Sequence, residues 1–268
     1  ESYFSKYFTE EMDKKIKITW YATASVRITA GNSQLLIDPF FPFSDSSIKI
    51  KSNAYDGCSH ILISHGHFDH ISSISEIVRD NTIVYCTKTP YRSLRRDGVK
   101  KNNLRMIEAG SSFSIGDFKI TAYKGSHIKI SAWDCIKAVC SKRVIHNRKG
   151  IIGKLAKIAA FPEHKESLCF LVEVYGRRIL IIGSLAIAYD VDYPMDTDLA
   201  LFPYQGSDEL FKIAAGIYNR LKPKAVLLTH FDNTFPPFSA EIDTTDIEDY
   251  LKKQAVVYKL NHGESLEI

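Results

Sequence analysis

The stretch His65-Gly66-His67-Phe68-Asp69-His70 places three imidazoles and one carboxylate within six residues. Only 9 of the 268 residues are histidine, and three of them at these spacings beside an aspartate should arise by chance in about one such chain in a thousand. Zinc and similar divalent metals bind neutral imidazole nitrogen and carboxylate oxygen. Alternate residues of an extended segment point the same way, so His65 and His67 can share one metal while Asp69 and His70 turn to another. The hexapeptide therefore predicts a metal site, and the competing interpretation is a histidine-rich surface loop.

The residues around the hexapeptide predict where it lies in the fold. Residues 60–64 form a short apolar run that ends directly before the first histidine, as expected for a buried strand. After the motif, Ile71, Ile74, Ile77 and Val78 keep helical spacing. The motif is therefore expected in a loop between a strand and a helix.

Apolar runs with turn residues between them predict strands along the whole chain. The first three form an antiparallel meander, and a hairpin turns at Tyr175-Gly176. A helix is expected over residues 208–221, capped by Ser207, and a last helix is expected behind a capping box of Thr245 and Glu248. An amphipathic helix is expected over residues 2–14. The expected strands are residues 16–20, 25–29, 34–37, 60–64, 82–86, 104–107, 118–124, 168–174, 178–182, 225–229 and 255–260.

Strands followed by helices, twice over, predict an α+β fold: a four-layer αββα sandwich made of two similar halves. We expect residues 1–268 to form one domain. Four residues, His65, His127, Ser184 and His230, each come just after a predicted strand, so loops from several strands can meet at one edge.

The sequence HGHFDH after a buried strand resembles the HxHxDH signature of the metallo-β-lactamase superfamily. Residues 20–26 and Leu36-Ile37-Asp38-Pro39 resemble the opening strands and turn of one branch. That branch includes ascorbate-6-phosphate lactonases and the N-acyl-phosphatidylethanolamine phospholipase D type. The resemblance implies that Asp38 is a structural residue near the site, and the alternative is a simple strand-ending turn.

The same resemblance implies the remaining ligands. His127, in Gly125-Ser126-His127, matches the third ligand of the first metal, and His230 matches the late histidine of the second. Asp69 would both bind metal and orient the attacking water, which makes it the expected catalytic base. The implied ligand sets are His65, His67 and His127 for one metal, and Asp69, His70 and His230 for the other.

The chain departs from the family pattern at Ser184, because members normally place there an aspartate that bridges both metals. A neutral serine is a poor ligand for a divalent metal. Either three ligands per metal suffice, or the second site is weak and the protein holds one metal or has lost catalysis. Asp190, Asp192 and Asp232 are the carboxylates near enough in sequence to substitute, and aspartates in such loops commonly serve turns instead.

The expected function is that of a metal-dependent hydrolase that uses a metal-activated water on an anionic ester, phosphodiester or lactone. The alternative is a degenerate protein of this fold that binds metal or ligand without catalysis. The cofactor would be one or two divalent metal ions, with zinc expected and manganese or iron as alternatives. His164 and Ser184 are the expected substrate contacts.

A strongly basic segment supports an anionic substrate. Residues 129–157 hold eight basic side chains against Asp134 alone, with Ile151, Ile152, Leu155 and Ile158 at near-helical spacing. Residues 129–165 are therefore expected to form a basic helical insertion near the site, which would attract a small anionic substrate and allow peripheral membrane contact. The alternative is a solvated helix with its basic face in water.

Composition sets the remaining limits. The chain is 45% hydrophobic and has a net charge of +4, and it lacks the run of about 18 apolar residues that a membrane span needs. A cytoplasmic location is expected, although the first residue is Glu1 and a removed signal would leave no trace. The basic segment over residues 129–157 has a single aromatic residue, Trp133, and so lacks the repeated aromatics that would favour nucleic-acid binding. The five cysteines fit neither a disulfide framework nor a CxxC zinc site and are expected as buried thiols.

Overall fold

The computed structural model describes residues 15–128 and 150–268, and their strands form two sheets of seven. The predicted helix over residues 2–14, and most of the basic segment, lie outside the described residues. The first sheet contains β1 (Ile16–Ala22), β2 (Ser25–Ala30), β3 (Ser33–Ile37), β4 (His60–Leu62), β5 (Ile83–Cys86), β6 (Leu104–Met106) and β14 (Ser265–Glu267). The second contains β7 (Ser112–Ile115), β8 (Phe118–Lys124), β9 (Leu168–Val174), β10 (Arg177–Ile182), β11 (Leu199–Pro203), β12 (Ala225–Thr229) and β13 (Val256–Lys259).

The two sheets follow one plan, which confirms the prediction of two similar halves. The first has the order β14-β1-β2-β3-β4-β5-β6, and the second has the order β13-β12-β11-β10-β9-β8-β7. In each, an antiparallel meander is continued by parallel strands, with the change at β3–β4 and at β10–β11. Parallel neighbours bring the carboxyl ends of several strands to the same edge of each sheet.

Helices cover the outer faces of both sheets. They are α1 (Phe68–Ile71), α2 (Ile74–Ile77), α3 (Lys88–Arg96), α4 (Ile151–Ala159), α5 (Leu210–Leu221) and α6 (Thr245–Leu251), with a 3₁₀ turn at Lys101–Asn103. Successive side chains of a strand point to opposite faces of the sheet, so one strand can contribute to two cores. Leu35 and Ile37 of β3 join the core between the sheets, whereas Leu36 joins the core under α1, α2 and α3. The layers are therefore helix, sheet, sheet and helix, as predicted.

The structure corrects three details of the local prediction. The helix expected after His70 is two single turns, α1 and α2, which are separated at Ser72 and Ser73. The last helix follows Thr244 instead of a Thr245 capping box, and the Thr244 hydroxyl donates to Glu248 at 2.6 Å. The strands β7, β11 and β14 and the helix α3 were not predicted. Within the described residues no helix combines the length and the apolar character that crossing a membrane requires.

The two sheets approach each other closely at one edge. The backbone amide of Leu168, at the start of β9, donates to the carbonyl of Ser64, which follows β4, at 2.8 Å. Gly183, which follows β10, packs into the same place. A Cβ at Gly183 would lie 2.5 Å from the Leu168 carbonyl oxygen and 2.6 Å from the Ser64 Cβ. This edge has no space for any side chain at position 183.

We expect Gly183→Ala to lower the free energy of unfolding by about 1–3 kcal/mol, because backbone atoms must move to admit the methyl group. Gly216→Ala is the matched control, since nothing lies within 4 Å of a Cβ built at this position in α5. That substitution should stabilise the protein by about 0.4–1 kcal/mol through the lower entropy of the unfolded chain. Urea unfolding measures both values, and equal effects of the two substitutions would contradict the close contact.

Candidate metal centre

The six predicted ligands come from segments that follow three different strands, and two of them, Asp69 and His70, lie in α1. Residues 65–70 follow β4, His127 comes three residues after β8, and His230 comes directly after β12. The structure brings all six to the closely packed edge of the sheets, where they form two groups. Each group combines residues of the hexapeptide, which follows a strand of the first sheet, with a histidine that follows a strand of the second.

The first group consists of three histidines, His65, His67 and His127, whose ligand atoms all lie within 4.8 Å of one another. The ring centroids of His67 and His127 are 4.5 Å apart, and those of His65 and His127 are 5.0 Å apart. His127 Nδ1 donates to the Ile128 carbonyl at 2.7 Å. In the neutral ring this leaves Nε2 with a free lone pair.

The second group consists of Asp69, His70 and His230, all buried, with ligand atoms again within 4.8 Å. Asp69 Oδ2 lies 3.0 Å from His230 Nε2 and 3.8 Å from His70 Nε2. The two groups adjoin, because the ring centroids of His65 and His70 are only 3.9 Å apart. The arrangement can hold two cations side by side.

Asp38 orients members of both groups. Its carboxylate is 1% exposed and accepts from His70 Nδ1 at 2.9 Å, from the Ser64 amide at 2.7 Å and from the Ser64 hydroxyl at 2.5 Å. Ser64 Oγ in turn lies 3.0 Å from His65 Nδ1, and an oxygen whose proton points at a carboxylate is left to accept. Partners of this kind fix the tautomer and orientation of a ligating histidine. Asp38 is therefore a structural residue of the site. It directly follows β3, with a backbone φ of 42°.

Burial keeps the first group neutral. Burial lowers the pKa of His67 to about 4, lowers the pKa of His65 well below its ordinary value, and also lowers the pKa of His127. Neutral imidazoles at pH 7 offer lone pairs to a cation.

The charges of the second group support one another. Burial would lower the pKa of His70, but the nearby carboxylates of Asp38 and Asp69 outweigh burial and raise it. Burial would raise the pKa of Asp69, but the nearby charge of His70 and a hydrogen bond from His230 hold that pKa below its ordinary value. Asp69 is therefore an ionised carboxylate at neutral pH.

His230 is held by the tight turn between β1 and β2. Its backbone has a φ of 59°, and its amide donates to the Thr23 carbonyl at 2.9 Å. The Thr23 amide donates to the buried carboxylate of Asp232, which also lies 3.1 Å from His262 Nε2. Asp232 therefore supports the backbone near His230 and does not replace the missing bridging carboxylate.

The other candidate carboxylates also lie away from the two groups. Asp190 is exposed and bonded to Lys124 at 2.7 Å, which holds the pKa of Asp190 below its ordinary value, and Asp192 is exposed. Ser184 itself is buried and lines the cavity next to the histidines, where its hydroxyl accepts from the Ile128 amide at 3.4 Å. Among the described residues, none of the three proposed aspartates occupies the bridging position.

The prediction that His164 contacts substrate does not match its placement. His164 is exposed and does not line the cavity. Its neighbour Glu163, which the sequence interpretation missed, points inward instead, and its Oε2 accepts from the Gly66 amide at 2.7 Å. A Cβ on Gly66 would lie 2.9 Å from the Pro162 carbonyl oxygen. Pro162 and Glu163, which follow α4, therefore contact the hexapeptide at Gly66 and help to fix the position of this glycine.

The residues of the two groups fit divalent cations. They offer five imidazoles and one carboxylate in two compact sets, a donor set suited to zinc, manganese or iron. The buried Nδ1 of His230 has no hydrogen-bond partner among the described residues, which costs free energy unless a further group binds beside it.

We expect Glu163→Ala to weaken zinc binding roughly tenfold, the effect typical of removing a residue that orients metal ligands. Glu163→Gln keeps an oxygen acceptor for the Gly66 amide and should bind zinc about as well as the unchanged protein. The control is Glu166→Ala, which removes a similar contact, from the Thr89 amide at 2.7 Å, away from the hexapeptide. Titration calorimetry with zinc measures all four proteins, and a loss of affinity in the glutamine variant equal to that in alanine would contradict the assignment.

Comparison with known proteins agrees with this geometry. The family model described as the beta-lactamase superfamily domain matches residues 17–230. A metal-dependent hydrolase of Xanthobacter autotrophicus is 29% identical over 117 residues, which is 42% of this chain and 48% of that protein. The first relatives are thus matched over about half of their length. A metal-dependent hydrolase of Oenococcus oeni is 26% identical over 84% of this chain and 90% of its own.

A solved structure shows the same fold over nearly the whole chain. It is a metallo hydrolase of the hyperthermophilic archaeon Ignicoccus hospitalis, with a TM-score of 0.63, 17% sequence identity, and coverage of 95% of this chain and 99% of that one. The family model spans the hexapeptide, His127 and His230, and the two-sheet architecture agrees with it. The chain belongs to the metallo-β-lactamase superfamily.

Proposed function

We propose that the protein is a metal-dependent hydrolase that acts on an anionic ester, phosphodiester or lactone. The observation that carries the proposal is the pair of three-membered ligand groups at the edge of one cavity. The metal-dependent hydrolases among its relatives support the reaction class. The proposed ligands are His65, His67 and His127 for one cation, and Asp69, His70 and His230 for the other.

A divalent cation in these groups supplies two kinds of chemistry when bound: it lowers the pKa of a coordinated water toward neutrality, and it polarises the carbonyl or phosphoryl oxygen of the substrate. Asp69 is the expected catalytic residue. Because it is ionised and has two oxygens, Asp69 can contribute to its group and also accept a hydrogen bond from the attacking water. Asp38 and Ser64 hold the rings of His70 and His65 in place, so these ligands need little reorganisation.

A second candidate function is binding of metal or ligand without turnover, and Ser184 favours it. Two divalent cations carry four positive charges, whereas the six proposed ligands include one carboxylate. Without the bridging aspartate, an anionic substrate would add negative charge directly at the cations. Measured metal content together with hydrolysis separates the two candidates.

We expect protein purified without added metal to contain between one and two equivalents of zinc, manganese or iron, and to cleave bis-p-nitrophenyl phosphate or a lactone only while metal is present. His127→Ala should lower the metal content by about one equivalent, because it removes a third of one group. His164→Ala is the control, since His164 is exposed and outside the cavity. Elemental analysis measures the content, and a full complement of metal in the His127 variant would refute the ligand assignment.

We expect Ser184→Asp to raise the affinity for the second equivalent of metal by roughly tenfold or more, because it adds a charged oxygen ligand beside both groups. Asparagine has nearly the same size as aspartate but no charge, so Ser184→Asn should change the affinity little. Calorimetric titration with zinc compares the two variants. Equal affinities in both would show that position 184 does not face the cations.

A further inference from the structure

The cavity in front of the two ligand groups has apolar walls. It measures about 300 Å³, and the residues that line it beyond the ligands are mainly hydrophobic. Beyond the ligands, the polar side chains in the lining are Ser184 and Gln205. The Gln205 amide already donates to the Ala240 carbonyl at 3.2 Å. The hydrophobic ones are Phe68, Ile128, Ile158, Leu185, Pro203 and Phe235.

The basic residues of α4 do not contribute to these walls. Lys154 forms an ion pair with Asp45 and donates to the Pro236 carbonyl at 2.6 Å. The ammonium groups of Lys154 and Lys157 lie 5.4 Å and 5.7 Å from the ring centre of Phe43. Of the residues that the structure describes, none that lines the cavity is a lysine or arginine.

The hydrophobic side chains of the cavity wall also pack against one another and against the core. Phe68 and Phe235 contact edge to face, with centroids 5.0 Å apart, and Ile158 packs from α4 against the core beneath them. A sugar, nucleotide or second phosphate placed here would lose its hydrogen bonds to water and find few replacements among the described lining residues, at a cost of about 1–3 kcal/mol for each unpaired group. An alkyl or aryl group would instead gain free energy from burial.

We propose that the substrate carries an apolar acyl, alkyl or aryl group on the scissile bond, and that this group occupies the cavity. This inference rests on the proposed function, and it narrows the substrate class of the same site. Charge on the substrate lies at the metal end, and the apolar group lies against Ile158 and Phe235. Phosphorylated sugars and nucleotides are poor substrates on this account.

The first test measures binding, which does not depend on turnover. Hexylphosphonate and glycerol 1-phosphate carry a similar anionic head on an apolar and on a polar group. The purified metal-containing protein should bind hexylphosphonate roughly tenfold more tightly by titration calorimetry, the discrimination that a few methylene groups provide. Equal affinities, or no binding of hexylphosphonate, would overturn the inference.

A pair of variants in α4 locates the effect. Ile158→Gln places a polar group of similar size in the cavity wall and should remove most of the preference for hexylphosphonate while leaving glycerol 1-phosphate unchanged. Ile152→Gln is the matched control, because Ile152 lies on the same helix, is 82% exposed and does not line the cavity. The same loss of preference in both variants would overturn the placement at Ile158.

The second test separates this inference from the proposed function. Hexyl phosphate and glycerol 1-phosphate share the same type of scissile phosphate ester bond, and the esterified group is apolar in the first and polar in the second. Hexyl phosphate should have a kcat/KM at least about tenfold higher, measured by the inorganic phosphate released. If neither is cleaved and hexylphosphonate still binds preferentially, the hydrolase proposal fails and the apolar cavity stands as a binding site. If both are cleaved equally, the hydrolase stands and the inference fails.

Discussion

The hydrogen bond between the Leu168 amide and the Ser64 carbonyl fixes the geometry on which the site depends. It joins the two sheets directly before His65, and the same two residues leave room only for a glycine at position 183. Ser64 also donates hydrogen bonds from its amide and its hydroxyl to the carboxylate of Asp38. One residue thus sets the distance between the sheets and the orientation of the carboxylate beneath the histidines, so fold and site are positioned by the same contacts.

Much of the fold could be predicted because its strands bury one or both faces, which leaves a clear hydrophobic pattern. The exceptions have physical reasons. The strand β14 has three residues with Leu266 alone buried, β7 exposes two serines, and Pro203 in β11 argues against a strand. The helix α3 has only three apolar residues, Pro90, Tyr91 and Leu94, which are too few for a clear helical pattern in the sequence. Such elements are stabilised by neighbours distant in the sequence, and a local pattern does not contain that information.

The ligand groups could be predicted in two steps of different strength. The density of the hexapeptide indicates a metal site from chemistry alone, whereas His127 and His230 are single histidines that the family resemblance supplied. Side-chain direction in an irregular loop has no such signal. Glu163 and His164 are adjacent polar residues, yet the side chain of Glu163 contacts Gly66 whereas His164 is exposed to solvent.

Each ligand group takes one histidine from a loop of the second sheet and two residues from the hexapeptide of the first. A cation held in either group would therefore act as a cross-link between the two halves of the chain, closing loops of dozens of residues much as a disulfide does. The halves resemble each other in plan, but neither contains a complete group. Both ligand groups therefore exist only where the two halves of the chain meet.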